Sequence, residues 1–333
     1  MTDPMTSSKK LLVSVVIEGY NESRSLGTAE NTMDALKRQD FPLDQVEVIL
    51  LGSPGQAKAW KETYSRPAPF FAVKTVTAEG AHYYALKNRG AAMAAGEIIA
   101  FTDSDVYPKP TWLSSIVESI GNGADVSVGL SLFKRAKRLD STSVLRQIAV
   151  SITFGYILGK TRDGGLPEVR GFMDHNVALR AEIFRRLQYR TDLGRVMASP
   201  LLFRALTHEG ARITLHPRQQ IVHFFSWGYW LSKLHFRYGY EVFRLRRIDR
   251  DYPDQWIAQT GPFEPLVTMM WHMLLDLPRW LRFSKLLGIG PIRRWGLLPM
   301  VVVLSTVARA AEMAGMYATM LAPDAMRQWA ESV

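Results

Sequence analysis

The 333-residue sequence contains no cysteine. That absence removes disulfides, thiolate metal sites and cysteine nucleophiles together, and it fits a reducing compartment. Acidic residues are in deficit, with 31 Asp+Glu against 41 Lys+Arg. The resulting net charge of +10 directs attention to anionic partners: phosphorylated ligands, anionic lipid or nucleic acid. Long uncharged apolar runs are also scarce. The longest in the C-terminal stretch, Trp295 to Ala308, falls short of the roughly 20 residues of a comfortable membrane span. No internal repeat or low-complexity tract occurs. With 47% hydrophobic and 22% charged residues, wholesale disorder, collagen and coiled coil are excluded. The length exceeds the roughly 250–300 residues at which single cores stop growing, so one large domain with an appendage, or two domains, is expected.

What is present is an alternation. Apolar runs at Leu11–Ile17, Val46–Leu51, Phe70–Val76, Ile98–Phe101 and Val126–Leu132 are separated by helix-like stretches at Thr28–Arg38, Gln56–Tyr64, Tyr83–Ala95 and Thr111–Ile120. This pattern predicts βαβ units and a mainly parallel sheet covered on both faces. The first run is broken by Ser14 and followed by Glu18, and it reads as a buried strand rather than as an export signal. Later, Asn176–Leu179 reads as a short strand, Ala181–Leu187 and Pro200–Glu209 as helices, and Arg212–Leu215 and Ile221–Phe225 as two late strands. The segment TRDGGLP, Thr161–Pro167, reads as a loop.

Sheets of this kind bind ligands beyond the carboxyl ends of their strands. The residues to inspect are therefore Glu18–Glu22, Gly52–Gln56 and Asp103–Tyr107. Asp103 and Asp105 flank Ser104 directly after the apolar GEIIAFT run. Hard cations such as Mg²⁺ or Mn²⁺ prefer oxygen ligands, so paired carboxylates at a strand end suit an ion shared with a diphosphate. A turn with a capping carboxylate is the plain alternative. A second triplet, Asp249-Arg250-Asp251, lies in a basic stretch without a preceding sheet strand.

Taken together, VSVVIEGYNE, LKNRGAAMAAGEIIAFTDSDV, HNVALRAEIFRRL and LLFRALTHEGARI resemble glycosyltransferase family 2, the GT-A fold, over roughly the first 225 residues. The resemblance implies an α/β fold of Rossmann-like type, mainly parallel with helices on both faces, that uses a nucleotide sugar and a divalent metal, Mg²⁺ or Mn²⁺. It implies inverting transfer to a lipid-linked or glycan acceptor. It places Glu18, Asn21, Glu22, Gly52, Ser53, Lys87, Asn88, Asp103 and Ser104 around the donor, and Asp103, Asp105 and His223 at the metal.

The sequence departs from the family in three places. Leu50 and Leu51 stand where aspartates usually precede Gly-Ser, Glu18 stands where proline is frequent, and the acidic pair that normally opens a late helix falls on Ala198 and Ser199. Candidates for the missing general base are Asp192, favoured because it precedes that helix, and Asp174 or His175. A non-catalytic sugar-nucleotide-binding or scaffold protein is the contrasting reading.

The division expected is a catalytic domain over residues 1–226 and a helical region over 227–333. In the latter, Trp227, Leu231, Leu234, Tyr238, Val242 and Leu245 form a helical stripe beside Lys233, Arg237, Arg244, Arg246 and Arg247, a composition suited to a membrane interface. No nucleic-acid-binding module is found. Leu266–Leu281 and Trp295–Leu321 read as membrane-associated helices, interfacial, re-entrant or marginally spanning, with core helices of a soluble domain as the alternative. Arg309 and Glu312 are spaced i,i+3 and can pair. The inner membrane, with the catalytic domain in the cytoplasm, is the expected location.

Overall fold

The computed structural model describes residues 11–20, 28–66, 69–134, 143–161, 165–192 and 198–332. The chain forms two compact units, one comprising Met1–Leu130, Phe172–Thr191 and Leu201–Val222, the other Ser131–Gly171, Asp192–Pro200 and His223–Val333.

The first unit is organised by an eight-stranded sheet. Strands β1 (Val13–Glu18), β2 (Val46–Gly52), β3 (Ala72–Thr77) and β4 (Ile98–Asp103) are linked by helices α1 (Ala29–Leu36), α2 (Pro54–Thr63) and α3 (Tyr83–Ala92). β1, β2 and β4 are buried along their whole length. Helices on both faces explain why these strands are near-continuous aliphatic runs and do not alternate. The order is β3-β2-β1-β4 and all three pairings are parallel. The chain thus steps outward from β1 to β3 and then returns past β1 to β4. Such a reversal leaves a crevice at the carboxyl ends of the two central strands.

Beyond β4 the parallel pattern is interrupted by β9. Strands β5 (Val106–Pro108) and β6 (Val126–Lys134) flank helix α4 (Trp112–Gly121), and β9 (Val177–Arg180) inserts antiparallel between β4 and β6. The expected α/β fold with a parallel-dominated sheet is met, and β9 is an antiparallel insertion in it. The two late strands expected at Arg212–Leu215 and Ile221–Phe225 are one twelve-residue strand, β10 (Ile213–Phe224). It runs through Pro217 because the sheet order puts β10 between β6 and the three-residue β5, so much of its length has a neighbour on one side only, where a missing N–H is tolerated. Helices α6 (Ala181–Arg186) and α7 (Ala198–His208) lie where the sequence suggested.

The second unit contains elements the periodicity did not reveal. Helix α5 (Val144–Phe154) precedes β7 (Leu158–Thr161), which pairs antiparallel with β8 (Pro167–Val169); of the TRDGGLP segment read as a loop, Thr161 and Pro167 belong to these strands and residues 162–164 lie outside the described residues. The aromatic basic stretch forms α8 (Trp227–Tyr229), a π-helical segment (Trp230–His235) and α9 (Phe236–Ile248). After a 3₁₀ segment come α10 (Glu264–Leu286), α11 (Pro291–Gly296), α12 (Leu298–Leu321) and α13 (Pro323–Ser332). α9 and α12 cross at two glycines: a Cβ on Gly239 would strike the carbonyl of Glu312, and one on Gly315 the carbonyl of Phe236. Among the described residues α12 is the helix long and apolar enough to cross a membrane.

Candidate active site

The crevice between β1 and β4 is lined by carboxylates. Parallel pairing sets Glu18 level with Asp103, and the Ser104 N–H donates to the Glu18 carbonyl at 3.2 Å. Thr32 of α1 sits with its hydroxyl 2.9 Å from the carbonyl oxygen of Ser104 and 2.7 Å from that of Val106. One buried hydroxyl therefore holds the turn that carries Asp103 and Asp105. Both aspartates and Glu18 are buried, Asp103 being only 2% exposed.

Asp103 is held on several sides. The Lys87 ammonium donates to it at 2.7 Å, and the Tyr83 hydroxyl lies 3.0 and 2.9 Å from its two oxygens. The His175 ring nitrogen Nδ1 is 4.0 Å from its second oxygen. Tyr83 and Lys87 are separated by four residues on α3, so the helix presents them on one face. Burial alone would raise the Asp103 pKa. The charges of Lys87 and His175 and the hydrogen bonds from Lys87 and Tyr83 outweigh it and hold the group at about 2. Lys87 also donates to the Asp174 carbonyl at 3.0 Å, and Tyr84 donates to the Asp174 carboxylate at 2.8 Å. Asp174 and His175 are thereby tied to the strand-end acids.

Glu18 behaves in the opposite way. Burial first, then the neighbouring charge of Asp103, push its pKa well above the usual carboxylate range, with Lys87 only partly compensating. A raised pKa means that the folded state holds the proton more tightly than the unfolded chain. The associated stability is present below the ordinary value of 4.5 and is lost as pH rises towards the folded value. Glu18→Gln should therefore melt at a higher temperature than the parent at neutral pH, with the difference closing in acid. Gln retains an acceptor for the Tyr20 N–H, which lies 2.5 Å from the Glu18 carboxylate. Thermal unfolding across pH checks this, and a neutral-pH destabilisation in Glu18→Gln would refute it. A carboxylate kept at such a cost points to a ligand that uses it.

The other residues singled out in the sequence have varied placements. Gly52 ends β2 against the Trp60 ring. Ser53 caps α2 reciprocally with Gln56. The Asn88 side chain is engaged with the Tyr189 backbone, donating at 2.8 Å and accepting at 3.1 Å. Asp192 and His223 belong to the second unit, where Asp192 is an exposed turn residue and the His223 ring nitrogen Nδ1 lies 2.9 Å from the Phe224 carbonyl. Asn21 and Glu22 lie outside the described residues. The second Asp-x-Asp triplet is a plain turn, in which the Asp251 N–H donates to the Asp249 carboxylate at 3.2 Å. Tyr83 and Tyr84 were not anticipated. Their signal was present as a Tyr-Tyr pair one helical turn before Lys87.

The donor set suits a hard cation only in part. Among the described residues no group of three or more His, Asp and Glu side chains is arranged to enclose an ion. Paired carboxylates are nevertheless the usual protein share of a Mg²⁺ site that draws its remaining ligands from phosphates and water. The hydroxyl of Ser104, which stands between them in sequence, is buried and has no hydrogen-bond partner among the described residues.

Comparison with known proteins accords with this geometry. The chain is similar over 120 residues to glycosyltransferase AglE of Haloferax volcanii, at 30% identity; the aligned part is 35% of this chain and 38% of that protein. Among solved structures, it is similar to the mannosyltransferase PcManGT of Pyrobaculum calidifontis, with a TM-score of 0.53 at 20% identity, covering 94% of this chain and 88% of that one. It is also similar to TarS 1-349 of S. aureus, with a TM-score of 0.50 at 14% identity, covering 94% and 91%. At these identities the two structures speak for the fold alone. The profile of glycosyl transferase family 2 matches residues 14–188, more than half of the sequence. A parallel half-sheet with paired acids at its switch point, matched along its length by that profile, places the chain in glycosyltransferase family 2, with the GT-A fold.

Proposed function

We propose that the protein is a metal-dependent, inverting glycosyltransferase, of hexosyltransferase type, that moves a sugar from a nucleoside diphosphate donor to a lipid-linked or glycan acceptor. The observation that carries this reading is the buried set of Glu18, Lys87, Asp103 and Asp105 at the β1/β4 crevice. The reading is supported by PcManGT, which was solved with GDP-Man and Mn²⁺.

In inverting transfer the acceptor oxygen attacks the anomeric carbon while the bond from that carbon to the diphosphate breaks. The acceptor proton passes to a general base. Negative charge grows on the departing diphosphate, and a divalent ion held by Asp105 and Asp103, with His223 as a further candidate ligand, would supply the positive charge to stabilise it. Lys87 keeps Asp103 ionised and in place. Asp192 is assigned as the base, with Asp174 and His175 as alternatives. Residues 1–226 would form the catalytic domain and residues 227–333 a membrane-associated region, with catalysis on the cytoplasmic face of the inner membrane.

A second reading rests on one specific observation. Ala198 and Ser199, both buried at the start of α7, replace the acidic pair that the family usually has. A non-catalytic protein that binds sugar nucleotides would need no base there. Release of nucleoside diphosphate from a panel of nucleotide sugars separates the two, because only the enzyme turns donor over.

Asp105→Ala tests the donor site. Calorimetric titration of GDP and UDP should show binding that requires Mn²⁺ in the parent and is lost in the variant, while the thermal unfolding of the apoprotein is unchanged or raised. Equal nucleotide affinity with and without the metal in the parent would contradict the metal dependence.

A further inference from the structure

The helices of the second unit carry their polarity inside out. Arg309 of α12 is buried, and its guanidinium donates to both oxygens of Asp276 on α10 at 2.9 and 2.8 Å, to Glu312 at 2.7 Å and to the Ile152 carbonyl of α5 at 3.0 Å. Ser305 donates to Asp276 at 2.6 Å, and the His272 ring lies 2.8 Å from Glu312. At the start of α10 the buried Glu264 takes Arg246 at 3.2 Å and Arg247 at 2.7 Å. Part of the cationic face expected beside α9 is thus spent inside the unit: Arg237 and Arg246 are buried, and Arg237 faces Glu241 at 3.4 Å.

The outward faces of the same helices are apolar. On α10, Leu266, Met270 and Leu274 recur at four-residue spacing, Met270 being 57% exposed and Leu274 61%. On α12, Met300, Val303 and Val307 recur at three- and four-residue spacing, with Val303 57% exposed. Water would favour the reverse arrangement, because it penalises exposed aliphatic surface and solvates charge. Hydrocarbon accounts for both faces at once: acyl chains accept the aliphatic stripe, and charges are tolerated only where they pair within the protein. The junction of α10 and α12 bears exposed Lys285, Arg293 and Trp295, the residue types that settle among anionic headgroups.

We propose that the outward faces of α10 and α12 lie in the acyl region of an anionic bilayer, with Lys285 and Arg293 at its phosphate headgroups and the Arg309–Asp276–Glu312 cluster kept inside the protein. This deepens the membrane part of the function proposed above and is independent of sugar transfer. The net charge of +10 favours the same occupant through long-range attraction.

Flotation of the full chain with vesicles is the test. Vesicles of phosphatidylglycerol and phosphatidylethanolamine should carry the protein to the top of a gradient, and pure phosphatidylcholine vesicles should carry less of it. Met270→Glu combined with Val303→Glu changes two exposed positions and should abolish flotation on both while the thermal transition persists. Lys285→Glu combined with Arg293→Glu should remove the preference for phosphatidylglycerol, as should high salt. Failure of the parent to float, or undiminished flotation of Met270→Glu/Val303→Glu, overturns the proposal. So does a lipid-free dimer that the same pair converts to monomer without any flotation, since the face would then meet a second copy. Nucleotide and Mn²⁺ binding measured on the same preparations separates the two claims. Flotation without nucleotide binding leaves the lipid face standing and refutes the donor site; nucleotide binding without flotation does the reverse.

Discussion

Lys87→Met is expected to destabilise the protein by about 3–5 kcal/mol, the usual cost of stripping one partner from a buried ion pair. Lys87 is fully buried, 2.7 Å from Asp103, and it also ties down the Asp174 carbonyl. Methionine fills a similar volume without replacing either bond. The Asp103 pKa, held at about 2 against an ordinary 3.8, should then climb. A depressed carboxylate pKa contributes stability above the ordinary value, and this is lost as pH falls through the folded value. That contribution, about 2 kcal/mol by linkage, should disappear in the variant. Urea unfolding at neutral pH and in acid reads both effects. Lys87→Met combined with Asp103→Asn should recover much of the stability, because no uncompensated charge remains, yet should not recover donor binding. A single variant within about 0.5 kcal/mol of the parent, the range of ordinary surface changes, would show that the pair is not what holds the crevice.

Asp192→Asn is expected to lower turnover by about 10²- to 10⁴-fold, the range for a general base, while nucleotide affinity stays near that of the parent. The expectation follows from Ala198 and Ser199, which leave α7 without an acid at its start, and from Asp192 being an exposed carboxylate shortly before it. Asp174→Asn and His175→Ala serve as comparators in the same single-turnover assay. Asp174 receives the Tyr84 hydroxyl at 2.8 Å, and His175 faces Asp103, so their substitution should disturb donor binding as well as rate. Near-normal turnover in Asp192→Asn, with loss in either comparator at intact affinity, would transfer the role of base to residue 174 or 175.

Several features were legible along the chain because they depend on neighbours in sequence. Runs such as VSVVIE and IIAFTD announce strands buried on both faces. The placement of Asp103 and Asp105 after one of these runs, and not the Asp-x-Asp spelling, is what separates them from Asp249 and Asp251. The i,i+3 pairing of Arg309 with Glu312 could be read in the same way, and the two side chains meet at 2.7 Å.

Other features depend on which distant segments pack together. That Glu18 stands level with Asp103 follows from the β1–β4 pairing, and no local pattern encodes a strand order. The antiparallel insertion of β9 was hidden for the same reason, since a four-residue buried strand has no sign of direction in its composition. Lys87, Tyr83 and Tyr84 lie on one short helix, but their targets Asp103 and Asp174 are 16, 20 and 90 residues away. The sequence therefore determined the four parallel strands, the candidate acids and the two apolar helices by itself, because periodicity and composition act within a few residues. Only the tertiary structure decided that Asp103 is neutralised by Lys87 while Glu18 is not, and that α10 and α12 turn their charges inward and their aliphatic faces outward. Burial and Coulomb energy are set by what surrounds a side chain in space, and that environment is supplied by residues remote in the chain.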